Sequence, residues 1–340
     1  MITSAPRFDT IVGTGAIGAG IVFRLEGDHD LGRNESRPAV LLDQRDYFKL
    51  HIILHYVARL FGDLGLPTRV LPVSAIGTDD TGQRLLSDMK AAGMDVKHVQ
   101  IRTEAPTVFG VCFTYPDGSG GNFSPTNGAS RFVDTAFVRR AEPEIKAAGR
   151  RCLVLAAPEI PLSTRRALLE MARAHGAFTA ASYLTGEFSA GNIMEHLRLV
   201  DLLALNIDEA ARLARLPSRE PADRIVHDCV ERLSGVLPRL LLSISNGARG
   251  SYAWQEGRLE YLPALHVPVA NTAGAGDAML SGYMIGLTLG LPFLGGPGSC
   301  FHLARLLAAL AVTSVDTINF DVRLETLRPF AAGQGEELPF

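Results

Sequence analysis

From about residue 130 onward the chain repeats one pattern. A short apolar run of strand length is followed by a longer amphipathic run that closes at glycine or a polar turn. Residues 134–149 read as a helix, 151–158 as a strand, 163–176 as a helix opened by a Ser or Thr cap, and 177–184 as a strand. The alternation continues with helix 192–200, strand 201–206, helices 207–216 and 222–237, and strand 239–245. Strands alternating with helices of this length specify βαβ units, and so a mainly parallel sheet with helices on both faces. Ligands of such sheets bind at the carboxyl ends of the strands. With 340 residues, 47% of them hydrophobic, there is material for two modest domains or one large α/β domain.

The flanking segments fit this frame with one exception. "FDTIVGTG" (8–15) and "TRVLPVSAIG" (68–77) read as strands, and 47–65 as a helix stopped by glycine. Residues 78–94 read as a helix with Thr78 or Asp79 as cap. The exception is "TVFGVCFTYPDGSGGNF" (107–123), where β-branched and aromatic residues around a Pro-Asp-Gly turn predict a β-hairpin. With the apolar run 37–44, it is expected to form a small β insertion over one edge of the sheet. Runs 250–255 and 258–265 are expected to pair antiparallel, and helices follow at 276–290 and 297–315. The tail 331–340 carries no element signal and is expected to be loosely held.

Several function classes are disfavoured at once. The formal net charge is −3, which gives no basic field for nucleic acid. The four cysteines, Cys112, Cys152, Cys229 and Cys300, lie far apart with no CxxC pair; they are expected as reduced, buried thiols. The N-terminus lacks the basic and apolar regions of a signal peptide, and no apolar run approaches the roughly 18 residues of a membrane span. A cytoplasmic location is the expectation.

Two stretches compete for a nucleotide. "VGTGAIGAG" holds Gly13-x-Gly15-x-x-Gly18 after a strand, and Asp43 ends a later apolar run; together these mimic a dinucleotide fingerprint. That fingerprint needs a helix opening at the glycines, and the text that follows is polar, charged and glycine-broken. The second stretch is "NTAGAGDAML" (271–280). Gly274, Ala275 and Gly276 leave main-chain N–H groups unshielded at a helix start, an anion site by geometry and dipole. Asp277 in the first turn is placed to take a proton from a hydroxyl that attacks a phosphoryl group. A blander account has Asp277 only favouring the helix N-terminus. Upstream, Asn206, Asp208 and Glu209 stand at a strand-to-helix junction, suited either to N-capping or to holding hydrated Mg²⁺ through water. Ser245, Asn246, Gly247 and Gly250 form a glycine turn after another strand, suited to a nucleotide or to an ordinary hairpin.

Taken in order, these residues resemble the ribokinase-type (PfkB family) carbohydrate kinases. The family's D-T-x-G-A-G-D signature is matched by Asn271-Thr272-Ala273-Gly274-Ala275-Gly276-Asp277, its N-x-x-E by Asn206 and Glu209, and its T-x-G-x-x-G by Ser245, Gly247 and Gly250. Residues 73–96 and 105–130 are similar to further family segments, so the resemblance covers nearly the whole chain. It implies one domain, 1–340, with a three-layer αβα ribokinase-like fold, a mainly parallel central sheet and a small β lid from about 14–45 and 103–125. It implies ATP-dependent phosphorylation of a hydroxyl on a sugar or sugar-like molecule. Asp277 would be the base and Gly274, Ala275 and Gly276 the anion hole. Asn206 and Glu209 would organise phosphate and Mg²⁺, and Ser245, Gly247, Gly250 and Thr272 would contact nucleotide. The helix after Gly298 would help wall the adenine pocket, and a homodimer through the lid is implied.

The departures fall mostly on the substrate side. Gly18 stands near the place of the family's sugar-holding acid. The helix opening at 47 lacks the family's glycine pair and asparagine, and Lys49, His51 and His55 occupy that region. His51 and His55, four apart, lack a third metal ligand and are expected to pack. "AASYLTGEF" lacks the polar text usual after that strand. Gly18, Lys49 and Asn127 are the substrate-side candidates, with Arg33 as a further contact. An unusual acceptor, a nucleoside kinase of the same family, and a ligand-binding or regulatory protein that has lost catalysis remain open at this point. Asn271 replaces an Asp that binds an activating monovalent cation in many members; it keeps an oxygen and loses the charge. Little or no dependence on K⁺ is expected.

Overall fold

The computed structural model describes residues 5–117, 120–123, 125–189, 191–338 and 340. The strands in chain order are β1 Thr10–Thr14, β2 Gly18–Leu25, β3 Ala39–Tyr47, β4 Arg69–Gly77, β5 Val99–Arg102, β6 Val108–Thr114, β7 Gly120–Phe123, β8 Cys152–Ala156, β9 Phe178–Ser182, β10 Leu202–Asn206, β11 Leu241–Ser245, β12 Ser251–Gln255 and β13 Arg258–Leu262. The helices are α1 Lys49–Asp63, α2 Asp80–Ala91, α3 Thr135–Val138, α4 Glu142–Ala148, α5 Leu162–Ala174, α6 Ile193–Leu197, α7 Ile207–Ala214, α8 Ala222–Ser234, α9 Ala275–Thr288, α10 Cys300–Ala311 and α11 Leu324–Gly333.

Nine strands form the central sheet in the order β13-β12-β11-β10-β9-β8-β1-β4-β5. From β5 to β11 every pairing is parallel, and the β12–β13 hairpin adds two antiparallel strands at one edge. The hairpin turns on Glu256 and Gly257, both at positive φ, the geometry that matches strand twist. Along β1, Ile11 joins the core under α1, α9 and α10 while Val12 joins the core under α3, α4 and α5. Leu153 and Val154 divide the same way on β8. Period-two alternation with both neighbours apolar is the mark of a sheet covered on both faces. The arrangement is three-layered, αβα.

A second sheet, β3-β2-β6-β7, stands apart from the first. It uses residues 18–47 and 108–123, so two segments distant in sequence meet along the parallel β2–β6 pairing. β6 pairs antiparallel with β7, as the hairpin text predicts; Gly118 of its Pro-Asp-Gly turn lies outside the described residues. After Gly15 the chain enters β2 rather than a helix, so the dinucleotide fingerprint lacks the context it needs. Asp43 belongs to β3 of this small sheet.

Three local expectations are corrected. Helix 134–149 is broken into α3, a 3₁₀ turn and α4. The N-cap of α5 is Pro161 rather than a Ser or Thr, because the Thr164 hydroxyl donates instead to the Val133 carbonyl at 3.0 Å. The tail is not loose: Glu336 is buried, bonds His302 Nδ1 at 2.8 Å and pairs with Arg305, and Leu338 and Phe340 pack on the core.

α9 is buried on all sides, which fits its apolar composition around the whole circumference. Its glycines let α10 approach closely. A Cβ at Gly282 would stand 2.4 Å from Ala304 Cα, and one at Gly286 would stand 2.8 Å from Cys300 Sγ. α1 meets α9 at Ser281, whose hydroxyl lies 3.0 Å from the Ile53 carbonyl and 2.8 Å from the Asp277 carbonyl of its own helix. α9 thus brings its N-terminus, with Asp277, to the carboxyl edge of the sheet.

Candidate active site

Asp277 lies in the first turn of α9 and is 7% exposed. Gly274 caps the helix at φ 79°, a left-handed conformation that favours glycine. A Cβ there would also stand 2.5 Å from the Thr317 carbonyl oxygen, so both backbone angle and space require glycine. The turn above Asp277 is open. Thr272, Ala273 and Gly276 are exposed, and a Cβ at Gly276 would meet only Ser245 Oγ at 3.9 Å. The Ala275 N–H makes only a long 3.4 Å contact with the Thr272 carbonyl. Main-chain donors at the N-terminus of a 14-residue helix therefore face a space that a phosphate can enter.

Asn206 and Ser245 end neighbouring parallel strands and are register partners. Asn206 forms a reciprocal capping box: its Oδ1 accepts from Glu209 N at 2.9 Å and its N–H donates to Glu209 Oε2 at 2.8 Å. The capping account is thus met in full, and it leaves both residues at the strand edge where the candidate site lies. Burial pushes the Glu209 carboxyl up to about 7, against the Asn206 amide and Lys49, which lower it. Ser245 Oγ donates to the Leu205 carbonyl at 3.4 Å. Beyond it, Gly247 has φ 55° and open space around it. Gly250 has φ 99°, and a Cβ there would stand 2.2 Å from the Leu262 carbonyl. The Asn246 N–H closes the turn on the Gly250 carbonyl at 2.8 Å.

Lys49 opens α1, directly after β3 of the small sheet, and its Nζ stands 3.5 Å from Asp277 Oδ1. The Asp277 charge raises the Lys49 ammonium above its ordinary range. Burial raises the Asp277 carboxyl, and Lys49 opposes that rise. Gly18 opens β2 at the same corner. Its carbonyl accepts from Phe48 N at 3.3 Å, and a Cβ on it would stand 2.6 Å from the Val108 carbonyl. Glycine is there for close packing, with no side chain to hold a hydroxyl. Asn127 and Arg33 are exposed on loops, Asn127 after β7 and Arg33 between β2 and β3. His51 and His55 are packed ring to ring, with Tyr47, Tyr56 and Phe320 against them. Burial holds His51 well below the usual imidazole range and brings His55 to about 4.

One acidic residue at this edge escaped the sequence reading. Glu159 follows β8 with φ 74°, a backbone conformation few non-glycine residues adopt. Its Oε2 is buried without a hydrogen-bond partner among the described residues, and burial pushes the carboxyl up to about 8, against the Lys49 charge. Strain combined with an orphaned buried oxygen makes Glu159 a candidate for a ligand-facing group. Its signal in the sequence is an acid held between two prolines, Pro158 and Pro161, at a strand end. The end of β9 is closed by Arg165, fully buried, which donates to the Ser182 carbonyl at 3.1 Å and pairs with Glu187.

The profile of the pfkB family carbohydrate kinases matches residues 57–323. The ribokinase of Haemophilus influenzae is 23% identical over 223 residues, 65% of this chain and 69% of that one. Arabidopsis thaliana ribokinase, solved with ribose and ATP, superposes with a TM-score of 0.72 at 19% identity, covering 96% of this chain and 99% of that one. An E. coli protein solved with ATP and Mg²⁺ gives a TM-score of 0.72 at 16% identity, over 96% and 100% of the two chains. No helix among the described residues is long and apolar enough to cross a membrane. With a family match over most of its length and the ribokinase fold, the chain belongs to the pfkB family: it is a sugar kinase.

Proposed function

We propose that this protein transfers the terminal phosphoryl group of ATP to a hydroxyl of a sugar or sugar-like small molecule, with Asp277 as general base. The observation that carries this is a buried carboxylate directly beneath an open glycine turn at a helix N-terminus. Asp277 accepts the proton as the acceptor oxygen attacks, which makes that oxygen a better nucleophile at no cost in free charge. The N–H groups of Ala275 and Gly276, with Gly274 setting their direction, stabilise charge on the transferring oxygens. Ser245, Gly247 and Thr272 hold the nucleotide at this edge, and buried Gly250 shapes the turn that presents Gly247.

Mg²⁺ fits this edge. Glu209 is a buried carboxyl with one oxygen on Asn206 N and the other uncommitted to the cap. With Asn206 it would hold the hydrated ion through water, and the ion supplies charge neutralisation between the phosphates. On the acceptor side, Glu159 offers an unpaired carboxyl oxygen to a substrate hydroxyl, beside Lys49, with Gly18 and Asn127 at the lid edge.

K⁺ is not needed in this scheme. Asn271 Nδ2 donates to the Val315 carbonyl at 2.9 Å, and its Oδ1 accepts from Ala273 N at 2.9 Å. A neutral amide thereby joins the loops at 271–273 and 315. The small sheet is proposed as a lid and as the contact between two copies.

The test is Asp277→Asn. Turnover in a screen of sugars and nucleosides should fall on the order of 10²–10⁴-fold or more, as for loss of a general base. The rise in melting temperature given by MgATP should persist, since the side chain acts in the transition state. Wild-type turnover on any accepted acceptor would sink the assignment.

A further inference from the structure

Asp277 sits where one cation faces several carboxyl groups. α1 contributes Lys49 Nζ, 3.5 Å from Oδ1, and the Tyr56 phenol, on whose ionisation the Asp277 charge acts. α7 contributes Glu209, and the turn after β8 contributes Glu159; both sense the Asp277 charge. α10 approaches α9 through Ala304 at Gly282 and Cys300 at Gly286, farther along the helix. Among the described residues, Lys49 is the basic side chain that pairs with Asp277. A carboxylate this buried, with two more carboxyls nearby, takes up a proton readily unless a cation opposes it. A protonated Asp277 cannot accept the proton of an attacking hydroxyl.

The contact has a second property. At 3.5 Å it is long for a charge-assisted hydrogen bond, and the Lys49 side chain is 33% exposed. It therefore supplies charge without sealing the carboxylate. The Lys49 backbone is fixed at this corner: Lys49 is the first residue of α1, and the Phe48 N–H before it donates to the Gly18 carbonyl.

We propose that Lys49 is a positioning residue for the base: it keeps Asp277 ionised and aimed in the resting site, and yields the carboxylate oxygen to the acceptor hydroxyl. This rests on Asp277 being the base. The sign follows from the charges. The base works above its pKa and is silenced as pH falls through it, so removing the cation moves the acid limb of activity to higher pH.

The decisive measurement needs no acceptor. Carboxyl-stretch infrared difference spectra against Asp277→Asn follow protonation of Asp277 in the wild type, in Lys49→Met and in Lys49→Arg. In Lys49→Met the Asp277 titration should move up by a pH unit or more, and Lys49→Arg should restore it close to the wild-type position. The acid limb of MgATP turnover, with water as acceptor, should move with it. Lys49→Gln serves the same comparison where Lys49→Met is too unstable to measure. An unmoved Asp277 titration, or a loss of turnover by the same factor at every pH, overturns the proposal. Should Asp277→Asn itself keep full turnover, the base assignment fails instead, and the two failures are distinct.

Discussion

At the scale of single residues, the site is set by which atoms are left open and which are tied. Gly274 must be glycine for two reasons, angle and the Thr317 carbonyl, whereas Gly276 is glycine beside open space. The first shapes the turn and the second leaves the space above it open. Asn271 shows the opposite case, since both ends of its amide are used. An aspartate at 271 could still accept from Ala273 N, but it could not donate to Val315. Two oxygens would then face one another, an arrangement that a bound cation relieves. Asn271→Asp should therefore gain activation by K⁺, read as turnover with K⁺ against tetramethylammonium at fixed ionic strength. Wild type should respond weakly or not at all. Strong stimulation of the wild type, or indifference in the variant, would contradict the role given to the amide. The letters around Asp277 and Asn206 were legible because each works within a few residues of itself, as cap or turn. The pairing of Lys49 with Asp277 was not, because 228 residues separate them. Glu159 was missed for a related reason: its strain and its orphaned oxygen exist only once β8 is packed.

At the scale of elements, the regular strand–helix rhythm was readable because burial on both sheet faces leaves an apolar run for each strand. What stayed hidden depends on contact with something distant. β2 follows glycine-rich text and is a strand because β6, some 90 residues on, supplies its partner: Gly18 pairs with Val108. The tail is ordered through the Glu336 pairings with His302 and Arg305, which no local pattern announces. The same holds for Thr164, whose hydroxyl is taken by Val133 rather than by its own helix end. The α9–α10 packing yields a prediction at this scale. α9 carries Asp277 on its N-terminus, and its seat depends on Gly282 against Ala304. Gly282→Ala puts a methyl where Ala304 Cα is 2.4 Å away, so the helices must separate. Overpacking of this kind costs about 1–3 kcal/mol. Ala favours a helix interior over Gly by up to roughly 1 kcal/mol, which offsets only part of it. Denaturant melts should show a lowered midpoint at unchanged slope, with turnover reduced because the first turn of α9 shifts. A midpoint at or above wild type would show that α10 yields freely.

At the scale of the whole molecule, the two sheets have unequal surroundings. The nine-stranded sheet is covered by helices on both faces, while the four-stranded sheet leaves Val40, Leu41, Leu42, Phe109 and Phe123 exposed, Phe123 at 60%. Among the described residues no further strand lies beside its outer strands, β3 and β7, and Thr317 bonds the end of β3 at Arg45 O and Tyr47 N. Apolar side chains exposed on a thin sheet are a surface that calls for a partner. The proposed partner is a second copy, because a twofold axis lets one patch cover its equivalent with no other chain required. The consequence reaches the proposed acceptor side, since β3 runs directly into Lys49 and β2 begins at Gly18, so whatever braces the small sheet braces both residues. In sedimentation the wild type should behave as a dimer. Leu41→Glu combined with Phe123→Glu should give a monomer whose melting transition still rises with MgATP, because the proposed nucleotide edge lies on the larger sheet. Its KM for the acceptor should rise more than its KM for ATP. A wild type that stays monomeric at every concentration would remove the lid as an interface, as would a double variant that still dimerises.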